Sequence, residues 1–474
     1  MGLSVVILAA GQGKRMKSDL PKVLQPIAGK PLVRHVIEAA RALGASSIHV
    51  VIGHGGEAVR AALTEPGLHF ALQAEQKGTG HAVMQAMPAV PPEDLVLVLY
   101  GDVPLVEPAT LRRLVDAAGE RTVSLLSVRL PDPTGYGRVL RDNAGTVYRI
   151  VEQKDATRKE LAVDEVNTGL LCAPAGALAG FLAALKNDNA QGEYYLTDVV
   201  AAAVRAGFRV EAVAAPTVPE VLGINDKLQL AEVEGHYRRR RAVELMTAGV
   251  TVIDPARLDV RGAVEVGRDV VLEPNVVLEG TVRLGDRVRV GVGAVLRDVS
   301  IGADTEIHPY SVLVEAEVGA ACVIGPYARL RPGTRLADRA HVGNFVELKN
   351  TVLGEGSKAN HLTYLGDADV GHGVNVGAGS ITCNYDGINK WRTVIEDGAF
   401  IGSGSMLVAP LTVGRDATVG AGSTLTRSAP RGALTLTRAK QQTVERWTRP
   451  ARASAEEKAA REAAAKLPEP GSDG

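Results

Sequence analysis

The chain has 474 residues, 53 basic against 54 acidic side chains and a formal net charge of −1. So even a balance supplies no field to gather a polyanion, which argues against a nucleic-acid partner, and no stretch reaches the ~20 apolar residues that cross a bilayer. Cys172, Cys322 and Cys383 are odd in number and form no CxxC pair, so no disulfide framework is expected and a reducing, cytoplasmic setting is.

From Leu3 to about Ala215, short apolar runs alternate with amphipathic stretches. SVVILAA, SIHVVIG, LHFALQ and LVLVLYGD read as buried strands, and VRHVIEAARALG, EAVRAAL and ATLRRLVDAAG as the helices between them. The alternation predicts a parallel α/β sheet with helices on both faces, whose ligands bind beyond the carboxyl ends of the strands. LAAGQGKRMKSDLPK, Leu8 to Lys22, follows the first strand. It matches neither GxxxxGK[ST] nor GxGxxG, since Met16 takes the third glycine position. It still offers a tight turn with backbone N–H groups and the cations Lys14, Arg15 and Lys22, a set able to cradle a triphosphate. A turn with merely solvated cations is the plainer alternative. QAEQKGTGHA brings Gln73 and a small Gly78-Thr79-Gly80 turn, and LYGDVPL puts Asp102 at a strand end, where one carboxylate plus phosphates can hold Mg²⁺.

Asn225 to Gly249 reads as one long helix with Leu230, Val233 and Tyr237 as its apolar seam. Its run Arg238 to Arg241 lacks interleaved aromatics and is expected to be a solvated face. Beyond Val250 the pattern changes. From Val260, steps of six, with four steps of five, pass through Leu278, Leu296, Leu313, Leu330, Leu348 and Leu365 to Val376. The register breaks at Thr382 and resumes from Ile395 to Leu425; of 27 such positions, 26 are Val, Ile or Leu. This is the signature of a hexapeptide β-helix, a triangular prism with aliphatic ladders inside. Eight or nine coils at ~4.8 Å would span about 40 Å. Thr382 to Val394 should leave the prism as a loop, where binding groups tend to sit. Ser454 to Lys466 reads as an exposed helix with Glu457–Arg461 and Glu462–Lys466 pairs, followed by a disordered PEPGSDG.

LAAGQGKRMKSDLPK, QAEQKGTGHA, YGDVPL, DPTGYGR, NTG and NAQGEYYLTD together resemble sugar-nucleotide pyrophosphorylases. With AHVGNFVELKN, NHLTYLGDADVG and TCNYDG of the second half, the chain from Leu3 to about Arg449 resembles one family, the bacterial bifunctional N-acetylglucosamine-1-phosphate uridyltransferases and glucosamine-1-phosphate acetyltransferases. The resemblance implies a Rossmann-like α/β nucleotidyltransferase domain (1–226), a linker helix (227–250), a left-handed parallel β-helix acetyltransferase domain (251–449) and a tail (450–474). It implies acetyl transfer from acetyl-CoA, then uridylyl transfer from UTP with Mg²⁺, giving UDP-N-acetylglucosamine for cell-wall precursors.

By the same resemblance, Leu8, Ala9, Ala10 and Gly11 lie near the uridine, with Arg15 and Lys22 on the phosphates as catalytic cations. Gln73, Gly78 and Thr79 complete the uracil pocket, beside Tyr100 and Gly101. Asp102 and Asn225 hold the metal; Gly137, Glu152 and Asn167 bind the acetamido sugar. On the prism His361 is the base. A hexad-turn histidine is otherwise simply solvated, and a zinc site on His341, His361 and His372 fails to keep one repeat phase. Arg331, Lys349, Tyr364, Asn375 and Lys390 are implied to bind glucosamine 1-phosphate. Ala378, Ser403, Ala421 and Arg438 are implied to line the acetyl-CoA site, and Asn384 and Tyr385 to act across a subunit boundary in a homotrimer. Two rivals remain: a pyrophosphorylase whose prism only oligomerises or binds a regulator, and an assembly scaffold with a degenerate nucleotide domain.

Overall fold

The structure, a computed structural model, describes residues 2–465. The apolar runs form β1 (Leu3–Leu8), β2 (Ser47–Ile52), β3 (Leu68–Leu72) and β4 (Leu95–Tyr100), all parallel to one another in the order β4-β1-β2-β3. Along β1, Leu3, Val5 and Ile7 enter one core and Val6 and Leu8 another, so both faces of the strand are covered and the sequence shows no polar alternation. Between the strands lie α1 (Leu32–Ala42), α2 (Gly56–Ala62), α3 (Thr79–Ala86) and α4 (Pro108–Asp116).

The sheet is mixed rather than parallel throughout. After β5 (Thr122–Arg129) comes a hairpin of β6 (Arg138–Arg141) and β7 (Val147–Val151), and then β8 (Glu165–Pro174), antiparallel to both β4 and β5. No α-helix separates β5 from β8, and a parallel return needs such a crossover. The chain continues through α5 (Ala175–Ala183) and α6 (Asp198–Arg205) to the edge strand β9 (Arg209–Ala214), parallel to β5.

The long helix α7 runs Lys227–Thr247, with the Asp226 side chain accepting a bond from Gln229 N at 2.9 Å as its N-cap. Val233 is buried with Met16, Ile27, Leu32, Leu105 and Ile224, and Leu230 and Tyr237 pack against this cluster. The expected seam is therefore present, and Met16 is revealed as the anchor of the glycine loop. The arginine run is not the solvated face expected of it. Arg240 donates to Leu105 O (3.0 Å) on the sheet side, while Arg241 donates to Gly262 O (3.4 Å) at the first coil of the prism. The two neighbours thus tie α7 to both halves of the chain.

From Thr251 the chain winds through three parallel faces of short strands. This is the left-handed parallel β-helix. Leu278, Leu296, Leu313, Leu330, Leu348 and Leu365 pair in successive coils as one ladder. Of the 27 periodic positions 26 are buried, Val266 being partly so. One face carries eleven strands, because coils extend the repeat to Thr251–Val252 at one end and Leu434–Thr435 at the other. The prism is accordingly nearer ~48 Å long than 40 Å.

Thr382 does not open the excursion. It keeps its place in the ladder opposite Leu407, 1% exposed, with its hydroxyl hydrogen-bonded to the backbone N and O of Gly366 (2.7 and 3.0 Å). A satisfied hydroxyl can replace an aliphatic there without an orphaned polar group. The chain leaves between Ile381–Cys383 and Thr393–Ile395. In the tail, α8 (Ala455–Ala464) starts with a capping box, and Glu457 turns back to the Ser454 amide instead of reaching Arg461. The Glu462–Lys466 pair and the disorder of PEPGSDG lie outside the described residues.

Two candidate active sites

At the carboxyl ends of β1 and β4 a cavity of about 350 Å³ is lined by Leu8, Ala9, Ala10, Gly11, Lys22, Gln73, Gly78, Thr79, Tyr100, Asp102 and Asn225. The structure thus gathers eleven separated sequence candidates around one space. Gly13 has φ +61°, and a Cβ there would lie 2.7 Å from Lys22 Cβ, so the loop closes on the lysine stem only because glycine stands at that position. Lys22 Nζ makes an ion pair with Asp102 and donates to Asn225 Oδ1 at 3.3 Å. The Asp102 carbonyl accepts from Ile224 N at 3.0 Å, which brings the start of α7 to the end of β4. Gly101 lies behind this wall, its N–H donating to Leu8 O at 2.9 Å. Gln73 is buried and spends its amide on Gly78 O (3.1 Å), shaping the small turn as well as facing the cavity.

Gly137, Glu152 and Asn167 lie outside the cavity lining but form one group. Asn167 N donates to Gly137 O at 2.8 Å, and a Cβ on Gly137 would come 3.4 Å from both Glu152 carboxylate oxygens. Burial, countered by the Thr197 hydroxyl and joined by Asp198 and Asp155, raises the Glu152 pKa. Burial also raises that of Tyr100, with the charges of Glu152 and Asp102 adding to it, so Tyr100 feels a carboxylate from each group. Arg15 is exposed on the short turn Lys14–Met16 and does not line the cavity. Four lining residues had no role in the sequence reading: the apolar Val23 and Ala82, and two polar ones, Gln76, which donates to Ala10 O at 2.7 Å, and Glu193. The two polar ones lie in the quoted motifs, but neither has a spacing signal that singles it out.

On the prism the registers Ala359↔Val376, Val376↔Ile401 and Ile401↔Val419 lie two residues before His361, Ala378, Ser403 and Ala421. These four therefore stack in successive coils along one corner, and Arg438 Nη1 donates to Ala421 O at 3.1 Å at its far end. Each is followed by a left-handed turn residue: Leu362, Gly379, Gly404 and Gly422, with φ of 48°, 72°, 70° and 70°. Below His361 the same corner carries Tyr310, Tyr327 and Phe345, all exposed and stacked with ring centroids 5.3 Å apart at each step. Past Leu362 the corner changes from a ladder of exposed apolar side chains to a run of glycines, Gly379, Gly404 and Gly422.

His361 Nδ1 donates to Asn344 Oδ1 at 2.8 Å, from the coil before. That bond places the proton on Nδ1 and leaves Nε2 free as a base. Tyr364 begins the next strand and lies over Gly366, which pairs with Lys349. The nearby Lys349 ammonium lowers the Lys390 pKa, with the Arg331 charge contributing, so three cations of the sequence reading lie in one neighbourhood. Asp367 ties Lys349 to the loop: it accepts from Lys349 (3.4 Å), Asn350 (2.7 Å) and Asn384. Asn344 and Asp367 were missed in the sequence, although each stands 17 residues, one coil, before a residue that was named. Asn375 is half-buried on the flat face, and Tyr385 is exposed on the loop. His341 is on that flat face too, opposite Lys358; among the described residues no three His, Cys, Asp or Glu side chains are grouped to hold a metal ion.

Residues 5–143 match the MobA-like NTP transferase domain family, and residues 392–427 match six repeats of the bacterial transferase hexapeptide family. The bifunctional protein GlmU of Azoarcus sp. (strain BH72) is 58% identical over 94% of this chain and 99% of its own length. That of Aromatoleum aromaticum is 57% identical over 96% of this chain and 100% of its own, and that of Burkholderia multivorans is 56% identical over 94% and 99%. With likeness of this degree along nearly the full length of both partners, the chain belongs to the bifunctional GlmU family.

Proposed function

We propose that the chain makes UDP-N-acetylglucosamine in two steps at two separate sites, within the boundaries 1–226 and 251–449. On the prism, the amine of glucosamine 1-phosphate attacks the thioester carbonyl of acetyl-CoA; the C–S bond breaks, and CoA leaves. His361 Nε2 takes the amine proton, oriented by Asn344. Arg331, Lys349 and Lys390 meet the sugar phosphate, with Tyr364 and Asn375 at the sugar. The observation that carries this half is the corner column. Ala378, Ser403 and Ala421 continue from His361 along a glycine-turned corner about 14 Å long at ~4.8 Å per coil, room for an extended pantetheine arm ending at His361. Arg438 lies at its far end, where the nucleotide phosphates of CoA would be, and the Ser403 hydroxyl is a donor for the developing oxyanion.

At the sheet, a phosphate oxygen of N-acetylglucosamine 1-phosphate attacks the α-phosphorus of UTP, and the bond to pyrophosphate breaks. The nucleophile is already an anion, so no general base is required, and positioning and charge neutralisation supply the rate. Leu8 to Gly11 with Gln73, Gly78 and Thr79 hold the uridine, and Gly137, Glu152 and Asn167 hold the sugar beyond Tyr100. Lys22 neutralises phosphate charge, and Arg15 closes on it from the exposed turn. The Asp102 carboxylate and Asn225 amide oxygen, both hard donors turned to one point, fit Mg²⁺, which when bound would offset charge on the phosphates.

The assembly is a homotrimer in this reading. Support comes from the exposed stack Tyr310, Tyr327, Phe345, which calls for cover, and from the loop beyond Asn384. Asn384 is anchored to Asp367, while Tyr385 and Ile388 are 59% and 87% exposed on the loop, apolar surface available to a neighbouring copy. The test is incubation with Mg²⁺, glucosamine 1-phosphate, acetyl-CoA and UTP, followed by mass spectrometry, with one component omitted per tube. Product lost without acetyl-CoA, and N-acetylglucosamine 1-phosphate accumulating without UTP, supports both steps and their order. Product formed only from ready-made N-acetylglucosamine 1-phosphate reduces the prism to a scaffold.

A further inference from the structure

Lys22 stands in an unusual place for a residue meant to hold phosphates. Its ammonium lies between the Asp102 carboxylate and the Asn225 amide oxygen, the two groups suited to a divalent cation. Its stem packs directly against Gly13, with no room for a side chain between them, so the glycine loop rests on the lysine. Both side chains of the ion pair are largely buried, 13% and 15% exposed, so water does little to screen the contact.

We infer that Lys22 is the resident counter-cation of the Asp102–Asn225 pair, and that a divalent cation enters this site only together with a nucleoside triphosphate. The inference rests on the assignment of Asp102 and Asn225 as metal-binding groups. With Lys22 in place, the one carboxylate is already neutralised and the free protein presents no net charge to a cation that surrenders its water reluctantly. A triphosphate reverses the balance. Its oxygens give the ammonium a more highly charged partner, the glycine loop closing on them carries Lys22 away, and Asp102 and Asn225 are released to share the cation with the phosphates. Metal and nucleotide are thereby coupled through one side chain, and each raises the affinity for the other.

Mn²⁺, followed by its free-ion EPR signal, tests this on the full-length protein without any turnover. Wild type, Lys22→Met, the charge-retaining Lys22→Arg and the double variant Lys22→Met/Asp102→Asn are compared without nucleotide. The expected result is Mn²⁺ binding at least tenfold tighter in Lys22→Met than in wild type or Lys22→Arg, with the gain lost in the double variant. A non-hydrolysable UTP analogue should then narrow the difference between wild type and Lys22→Met. Equal affinity of wild type and Lys22→Met without nucleotide overturns the inference. A gain that survives in the double variant instead places the metal away from Asp102, and the site assignment fails. Should Lys22→Met prove unfolded by circular dichroism, Lys22→Gln replaces it with the same two readings.

Discussion

The two halves of the chain build their sites in different ways. At the sheet, Gly11, Gln73, Asp102 and Asn225 come from four connections spread over more than two hundred residues, and only the strand order brings them to one cavity. On the prism, one corner repeats every 17 to 25 residues, so His361, Ala378, Ser403 and Ala421 form a column because the coils stack. The first site depends on tertiary topology, the second on register. A lesion in either should leave the other intact, since α7 separates them, with neighbouring Arg240 and Arg241 tying it to the sheet side and to the first coil of the prism.

The sharpest way to break this comparison is a pair of single lesions. His361→Ala should lower acetyl transfer by about 10²–10⁴-fold and leave uridylyl transfer unchanged, each measured with its own substrate. Asp102→Ala should do the reverse, with a loss on the order of 10²–10³-fold in uridylyl transfer. Loss of both activities from either change would mean that the halves are not independent.

The next effect probes the glycine-turned corner. Gly404→Leu puts a side chain into the bare corner at φ 70°. It should raise the KM for acetyl-CoA about tenfold or more, a difference of ~1.4 kcal/mol per decade, with the KM for glucosamine 1-phosphate held. An unchanged KM for acetyl-CoA would place the thioester elsewhere. Asn344→Ala removes the bond that sets the His361 tautomer and should reduce acetyl-transfer kcat by about tenfold, near the ~1 kcal/mol of one hydrogen bond, with KM values little altered.

The smallest effect concerns stability on the sheet side. Burial raises the Glu152 pKa in the folded protein, so the folded state holds this proton more tightly than the unfolded chain. Stability from this group therefore falls as pH rises from the ordinary glutamate value through the raised one. Glu152→Gln should remove that slope and raise the unfolding midpoint at neutral pH, while weakening sugar binding. A lower midpoint at neutral pH would show that the carboxylate is not a strained, functional group.

The prism was legible in the sequence because its core is one-dimensional: a buried aliphatic every six residues is visible without knowing what it packs against. Thr382 misled because period alone cannot show that a hydroxyl is satisfied by Gly366 across the coil. The strand β8 misled because pairing direction depends on what joins two strands, and residues 130–164 supply a hairpin in place of a helix. Most named site residues of the sheet do line one cavity, but Gln76 acts through a backbone carbonyl 66 residues away, which no spacing reveals. Asn344 and Asp367 were within reach. Counting one coil back from His361 and from Asn384 finds both.

The most direct test of two independent chemistries on one chain is to mix the two broken proteins. His361→Ala and Asp102→Ala are supplied, separately and together, with glucosamine 1-phosphate, acetyl-CoA, UTP and Mg²⁺, and UDP-N-acetylglucosamine is followed by mass spectrometry. The account predicts almost no product from either variant alone, accumulation of N-acetylglucosamine 1-phosphate with Asp102→Ala, and restored product in the mixture as that intermediate passes through solution. A mixture as silent as its components would contradict it.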